Sequence, residues 1–287
     1  MIYRRRPTPL HAARAAAACA YLGSLLLVAL LFEHPLVLAA DLVAVLGVIV
    51  LARATPALRT LGPLALSLAL LIALVNPFVV REGLTVIARL GELGPLGRLD
   101  LTLEAAVYGG VLGLRAAVLI LAFVPYSTAV DPDGVLRLFR RFGFRSALSA
   151  TLATRMVGVL ARDARRRADA QRCRPRPAGR LAMTRAVTAG ALDRAIDVAA
   201  TLEVRGYGAA GRRPPGTRTP WSRHDLAYLA AGMLIAATAI AARAAGLAAL
   251  RPYPTLELST GPLVWALAGL IVVAAWLPFA DRRGVAA

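Results

Sequence analysis

A chain of 287 residues that is 58% hydrophobic, with a mean hydropathy of +0.64, is too apolar to be disordered. Two cysteines, Cys19 and Cys173, exclude a disulfide scaffold. The net charge of +18 comes from 34 basic residues, all Arg, against 16 acidic ones; it suggests a nucleic-acid binder, but so apolar a chain with only 17% charged residues fits a multi-spanning membrane protein better.

The N-terminal tail carries Arg4, Arg5, Arg6 and Arg14 ahead of the first apolar stretch. A signal peptide would have this polarity, but no small-residue cleavage site follows; Glu33-His34-Pro35 leads directly into more apolar chain. Six stretches approach the roughly 20 apolar residues that cross a bilayer: Ala15–Phe32, Pro35–Ala52, Leu61–Val80, Ala105–Val130, Leu226–Ala242 and Gly261–Ala280. Their Ala- and Leu-rich runs lack the alternation of a membrane barrel, so the expected fold is all-α, a polytopic helical bundle. Asn76-Pro77 should kink or end the third span. Arg115 in the fourth span should face protein, with Glu104 or Asp41 as its partner.

Arg in short loops marks the cytoplasmic side. With the N-terminus inside, the inner segments sum to +19 and the outer ones to −1, while Asp41 and Arg115 cancel within the spans. The expected topology is six spans with both termini cytoplasmic. It divides the chain into a membrane part, 1–130, a hydrophilic block, 131–222, and a second membrane part, 223–287.

The block carries +12 of the charge between residues 131 and 225 and reads as a helical hairpin. Asp131-Pro132-Asp133 looks like a helix-start turn. One helix is expected from about Ser146 to Arg174, with Leu148, Leu152, Met156, Val159 and Leu160 at helical spacing; Pro175 and Pro177 stop it. A second is expected from Ala178 to Val204, with the stripe Leu181, Thr188, Leu192, Ile196 and Ala199, ending at Gly206 and Gly208. An Arg/Pro/Gly connector, 212–220, leads to Trp221, an interfacial aromatic before the fifth span. Arg162, Arg165, Arg166 and Arg167 form a basic run suited to anionic lipid headgroups. Without an aromatic-studded basic surface, nucleic acid is not an expected partner.

Both helices thus end on an Arg beside a breaker: Gln171-Arg172-Cys173-Arg174-Pro175 and Glu203-Val204-Arg205-Gly206-Tyr207. An Arg there complements the helix dipole, worth about 0.3–1 kcal/mol. It could equally enter a groove on a soluble partner, where its planar fork would pair with carboxylates.

These residues resemble the transmembrane T component of energy-coupling factor (ECF) transporters, the vitamin and transition-metal uptake branch of ABC transporters. That family carries two Ala-Arg-Gly motifs at the ends of coupling helices. Leu202-Glu203-Val204-Arg205-Gly206-Tyr207 is similar to the second with one conservative change. Ala170-Gln171-Arg172-Cys173-Arg174-Pro175 keeps the Ala-Gln and an Arg of the first, with Cys for Ala and Pro for Gly; Arg174 is the match and Arg172 the possible substitute. The run from Leu112 to Arg115, Ser127-Thr128 and Asp131-Pro132-Asp133 resembles the family too. The resemblance implies a scaffold in a prokaryotic plasma membrane. Two ABC ATPase subunits bind the ATP, a membrane S component captures substrate, and this chain needs no cofactor or metal of its own. The coupling residues it implies are Arg172, Cys173, Arg174, Pro175, Glu203, Val204, Arg205 and Gly206. With no Lys the chain cannot form a Gly-x-x-x-x-Gly-Lys-Ser/Thr phosphate loop. His11, His34 and His224 have no metal-ligand spacing.

Two other classes compete. A lipid-modifying membrane enzyme would need convergent acid–base or metal residues, for which Asp131, Asp133 and Asp163 are the nearest candidates. A membrane anchor for an unrelated soluble partner would need only the spans and the block.

Overall fold

A computed structural model describes residues 6–80, 85–92, 98–139, 144–174, 179–206, 220–251, 257–258 and 260–281. The chain forms two compact units: Met1–Val135 with Trp221–Ala287, and Leu136–Pro220.

The first unit is a helical membrane bundle. After a one-turn helix, α1 (Pro9–Ala12), come α2 (Ala15–Leu31), α3 (Pro35–Leu51), α4 (Thr55–Val79), α5 (Leu103–Ala129), α9 (Arg223–Ala244) and α10 (Pro262–Trp276) with its 3-10 extension Leu277–Phe279. Helices α4, α5, α9 and the extended α10 are long and apolar enough to cross a membrane; α2 and α3 are apolar helices of 17 residues, at the short end of the spanning range. The short break between α2 and α3 follows from Pro35, which has no N–H to continue a helix and sits well in a first turn.

Close approaches on small residues hold the bundle, as expected where lipid removes the usual hydrophobic drive between helices. A Cβ on Gly113 would lie 2.4 Å from the Ala69 carbonyl oxygen, and one on Gly109 2.8 Å from Asn76 Cβ, so α4 and α5 pack nearly backbone to backbone. Asn76 Nδ2 donates to the Ala105 oxygen at 3.0 Å. A Cβ on Gly232 of α9 would come within 2.9 Å of Tyr21 Cα. Tyr21 and Tyr228 meet edge to face at 5.1 Å, Tyr228 and Phe279 at 5.4 Å, and the Tyr21 hydroxyl donates to the Ala275 oxygen. Trp276 lies over Gly47 and donates to the Ala44 oxygen at 3.2 Å.

Several sequence expectations change. Arg115 pairs with neither Glu104 nor Asp41: its Nη2 lies 3.3 Å from Glu33 Oε1 and donates to the Phe32 oxygen at 2.9 Å, which ties α5 to the α2–α3 turn. Glu104 is taken by the Thr85 N–H at 3.1 Å. Asp41 is fully buried, and among the described residues neither carboxylate oxygen meets a donor. Helix α4 runs through Pro77 and closes two residues later at Val79. The loops before α5 and before α10 carry short antiparallel hairpins, β1 (Val86–Glu92) with β2 (Arg98–Thr102) and β3 (Leu250–Arg251) with β4 (Glu257–Leu258). The fold remains helical; these strands pair only with each other.

The second unit holds the end of α6 (Pro132–Phe139), then α7 (Phe144–Arg172) and α8 (Arg180–Val204). The Asp131 carboxylate accepts the Asp133 N–H at 3.1 Å, the helix-start turn expected there.

Candidate functional site

The two Arg-breaker ends lie on α7 and α8, which form an antiparallel hairpin. Arg194 of α8 pairs with Asp163 of α7, and nearer the turn Arg167 reaches the Ala186 carbonyl. A Cβ on Gly190 would lie 2.7 Å from the Arg167 guanidinium, so Gly190 makes room for that side chain.

This seam differs from the one the apolar pattern suggests. On α7 the half-buried positions include Leu152, Met156, Val159 and Leu160, as expected. On α8 they are Met183, Val187, Gly190, Ala191, Arg194, Val198 and Leu202. The stripe expected on α8 faces out instead, with Leu181 67%, Leu192 65% and Ile196 61% exposed. The contact face combines the ion pair and Gly190 with Met183, Val187, Val198 and Leu202, while Leu181, Leu192 and Ile196 stay on the surface. Among the residues of this unit whose exposure is described, none is fully buried.

At the first end, α7 closes at Arg172, and the Cys173 and Arg174 N–H groups donate to the Ala170 and Gln171 oxygens at 3.3 and 3.2 Å. Arg172 pairs with Asp169 one turn back at 3.3 Å. Arg174 is exposed, meets no carboxylate among the described residues, and lines a groove with Arg167, Ala170, Gln171, Ala182, Met183 and Ala186. Cys173 is exposed; Pro175 lies outside the described residues.

At the second end, Val204 is 90% exposed. The Arg205 N–H donates to the Thr201 oxygen at 3.2 Å and the Gly206 N–H to the Glu203 oxygen at 2.9 Å. Gly206 has φ +76°, the left-handed conformation that closes a helix and that a Cβ disfavours. Glu203 and Arg205 are exposed, and Arg205 lines a shallow groove with Ala200, Thr201 and Val204. Tyr207 and Gly208 lie outside the described residues.

The hairpin keeps the two ends apart. Arg174 lies beside Met183, and from Met183 to Arg205 helix α8 rises by roughly 33 Å at 1.5 Å per residue. The two sites therefore cannot act on one small ligand; they suit two separate grooves. Among the described residues, no three His, Cys, Asp or Glu side chains stand together as a metal site. The polar seam of Arg167, Asp163 and Arg194 is the feature that sequence reasoning missed. Its signal was available: Arg167 and Asp163 are one turn apart on α7.

Residues 7–215, well over half of the chain, match the CbiQ family of cobalt transport proteins. The chain belongs to the CbiQ family. This is the family of ECF transporter T components that the motifs resemble. No curated protein matches the chain significantly. The CbiQ match contains both Arg-breaker ends and the first four apolar helices, and stops in the connector before α9. The protein is thus a multi-pass membrane component of a transport system.

Proposed function

We propose that this CbiQ-family protein is the T scaffold of an ECF-type importer in a prokaryotic plasma membrane. On this reading the termini and the α7–α8 hairpin are cytoplasmic, following the segregation of Arg. Arg174 and Arg205 each seat in the groove of one of two ABC ATPases. Closure of the ATPase pair on ATP shifts the two seated ends, and the hairpin passes that movement to a membrane S component that holds the cargo. ATP is bound by the ATPases, and this chain performs no chemistry. The family description favours Co2+ as cargo over a vitamin.

The observation that carries this reading is the pair of exposed Arg ends, separated by the length of α8 on a hairpin in which no residue of described exposure is fully buried. A pair of helices with no buried residue gains most of its stability from what covers it. The outward Leu181, Leu192 and Ile196 are the surface offered to the S component. Of the two candidates at the first end, Arg174 is the better plug, because it sits at the breaker and lines the groove with Arg167 and Met183.

Co-expression with two ABC ATPases tests the reading. Both should co-purify with the wild-type chain, and Arg174→Ala with Arg205→Ala should release them. Retention of both ATPases by the double variant would refute the two-plug assignment. Recovery of an unrelated soluble protein would favour an anchor, and turnover by the isolated chain a membrane enzyme.

A further inference from the structure

The point where the chain leaves the hairpin unit and re-enters the membrane unit is tied down by a residue from the far end of the sequence. Helix α9 begins with a capping box: the Ser222 hydroxyl caps the first turn, and Asp225 Oδ2 accepts the Ser222 N–H at 2.8 Å. The same carboxylate, only 1% exposed, also binds Arg14 twice. Asp225 Oδ1 accepts the Arg14 backbone N–H at 2.6 Å, and Arg14 Nε lies 3.2 Å from Oδ2. The Arg14 guanidinium also lies 5.3 Å from the ring centre of Trp221, the first residue of the returning chain. Arg14 is itself the N-cap of α2. One carboxylate therefore fastens the starts of two helices 211 residues apart in sequence. Tyr21 meets Gly232 at that same offset, so α2 and α9 run parallel from this knot. Arg223, on the other side of the α9 start, lies 3.7 Å from Asp281.

A capping box needs only its own helix. The bond from Arg14 does something else: it makes the junction at Trp221 continuous with α2. We propose that Arg14 is a positioning residue of the transporter, holding the α9 start so that movement of the hairpin reaches the membrane helices instead of being lost as pivoting at Trp221. This rests on the T-scaffold reading above. Arg14 belongs to the membrane unit and the two Arg-breaker ends to the hairpin unit, so its loss should leave ATP hydrolysis in place and uncouple it from transport.

The complete complex in vesicles, with two ATPases and an S component, tests this through the ratio of Co2+ taken up to ATP hydrolysed. In Arg14→Ala the backbone N–H of residue 14 and that of Ser222 still serve Asp225, so the bundle should assemble. Hydrolysis should stay within about twofold of wild type while the ratio falls about fivefold or more, the scale of a typical coupling energy. Arg14→Lys, which keeps the charge, should recover much of the loss. Trp221→Leu, which leaves the buried carboxylate untouched, should lower the ratio in the same direction and decides the matter if Arg14→Ala does not assemble. An unchanged ratio in the assembled variant, or equal falls in hydrolysis and uptake, would overturn the proposal. A wild-type chain that recruits no ATPase would instead overturn the T-scaffold reading, before any substitution is made.

Discussion

The α2–α9 contact and the α7–α8 contact each use a glycine for close approach, yet they are built differently. At Gly232 the neighbour is the backbone of Tyr21, locked beneath an aromatic cluster that is fully buried at Tyr21 and Tyr228. At Gly190 the neighbour is the flexible guanidinium end of Arg167, held by the Ala186 carbonyl, and no residue of described exposure around it is fully buried. The first contact is finished within the chain. The second leaves Leu181, Leu192 and Ile196 outside, as a surface that awaits a partner does.

That difference can be broken by substitution, and the largest effect belongs to the membrane contact. Gly232→Ala forces a backbone shift and should destabilise the bundle by about 1–3 kcal/mol, read as a lower unfolding midpoint in detergent. Gly190→Ala should be neutral or stabilising by up to about 1 kcal/mol, because Arg167 can swing aside and Ala favours helix over Gly. If both substitutions cost the same, the contrast is wrong. Arg194→Ala breaks a partly exposed ion pair and should cost only about 0.2–1 kcal/mol, measurable as a small loss of thermal stability. Smallest of all, Leu192→Ser with Ile196→Ser should change stability by no more than about 0.5 kcal/mol while weakening capture of the S component. A large loss of stability there would mean that the exposed stripe is internal packing.

The six apolar helices were legible because span length and composition need no knowledge of neighbours. The helix stops were legible for the same reason, since proline and left-handed glycine act locally: the first was expected near Arg174 and falls at Arg172, and the second falls at Val204 as expected. What the sequence withheld depends on tertiary choice. An apolar stripe tells that a face is covered, not by what, so the α8 stripe was assigned without knowing that Arg194 would turn the other face toward α7. For Arg115 the sequence offered Glu104 or Asp41, and only the fold brought Glu33 to it. The hairpins escaped because strands of two to seven residues carry little pattern. Arg14 and Asp225 escaped because a capping box can be read from Ser222-x-x-Asp225, but a partner 211 residues away cannot.

The central claim is that Arg174 and Arg205 are the two points through which ATPase closure acts. An Arg that becomes buried and charge-paired in a partner's groove costs about 2–5 kcal/mol of binding when truncated. ATP-driven Co2+ uptake by the complex carrying both Arg174→Ala and Arg205→Ala, inserted in the membrane at wild-type level, tests it most directly. The account predicts that uptake is abolished, and uptake at the wild-type rate would contradict it.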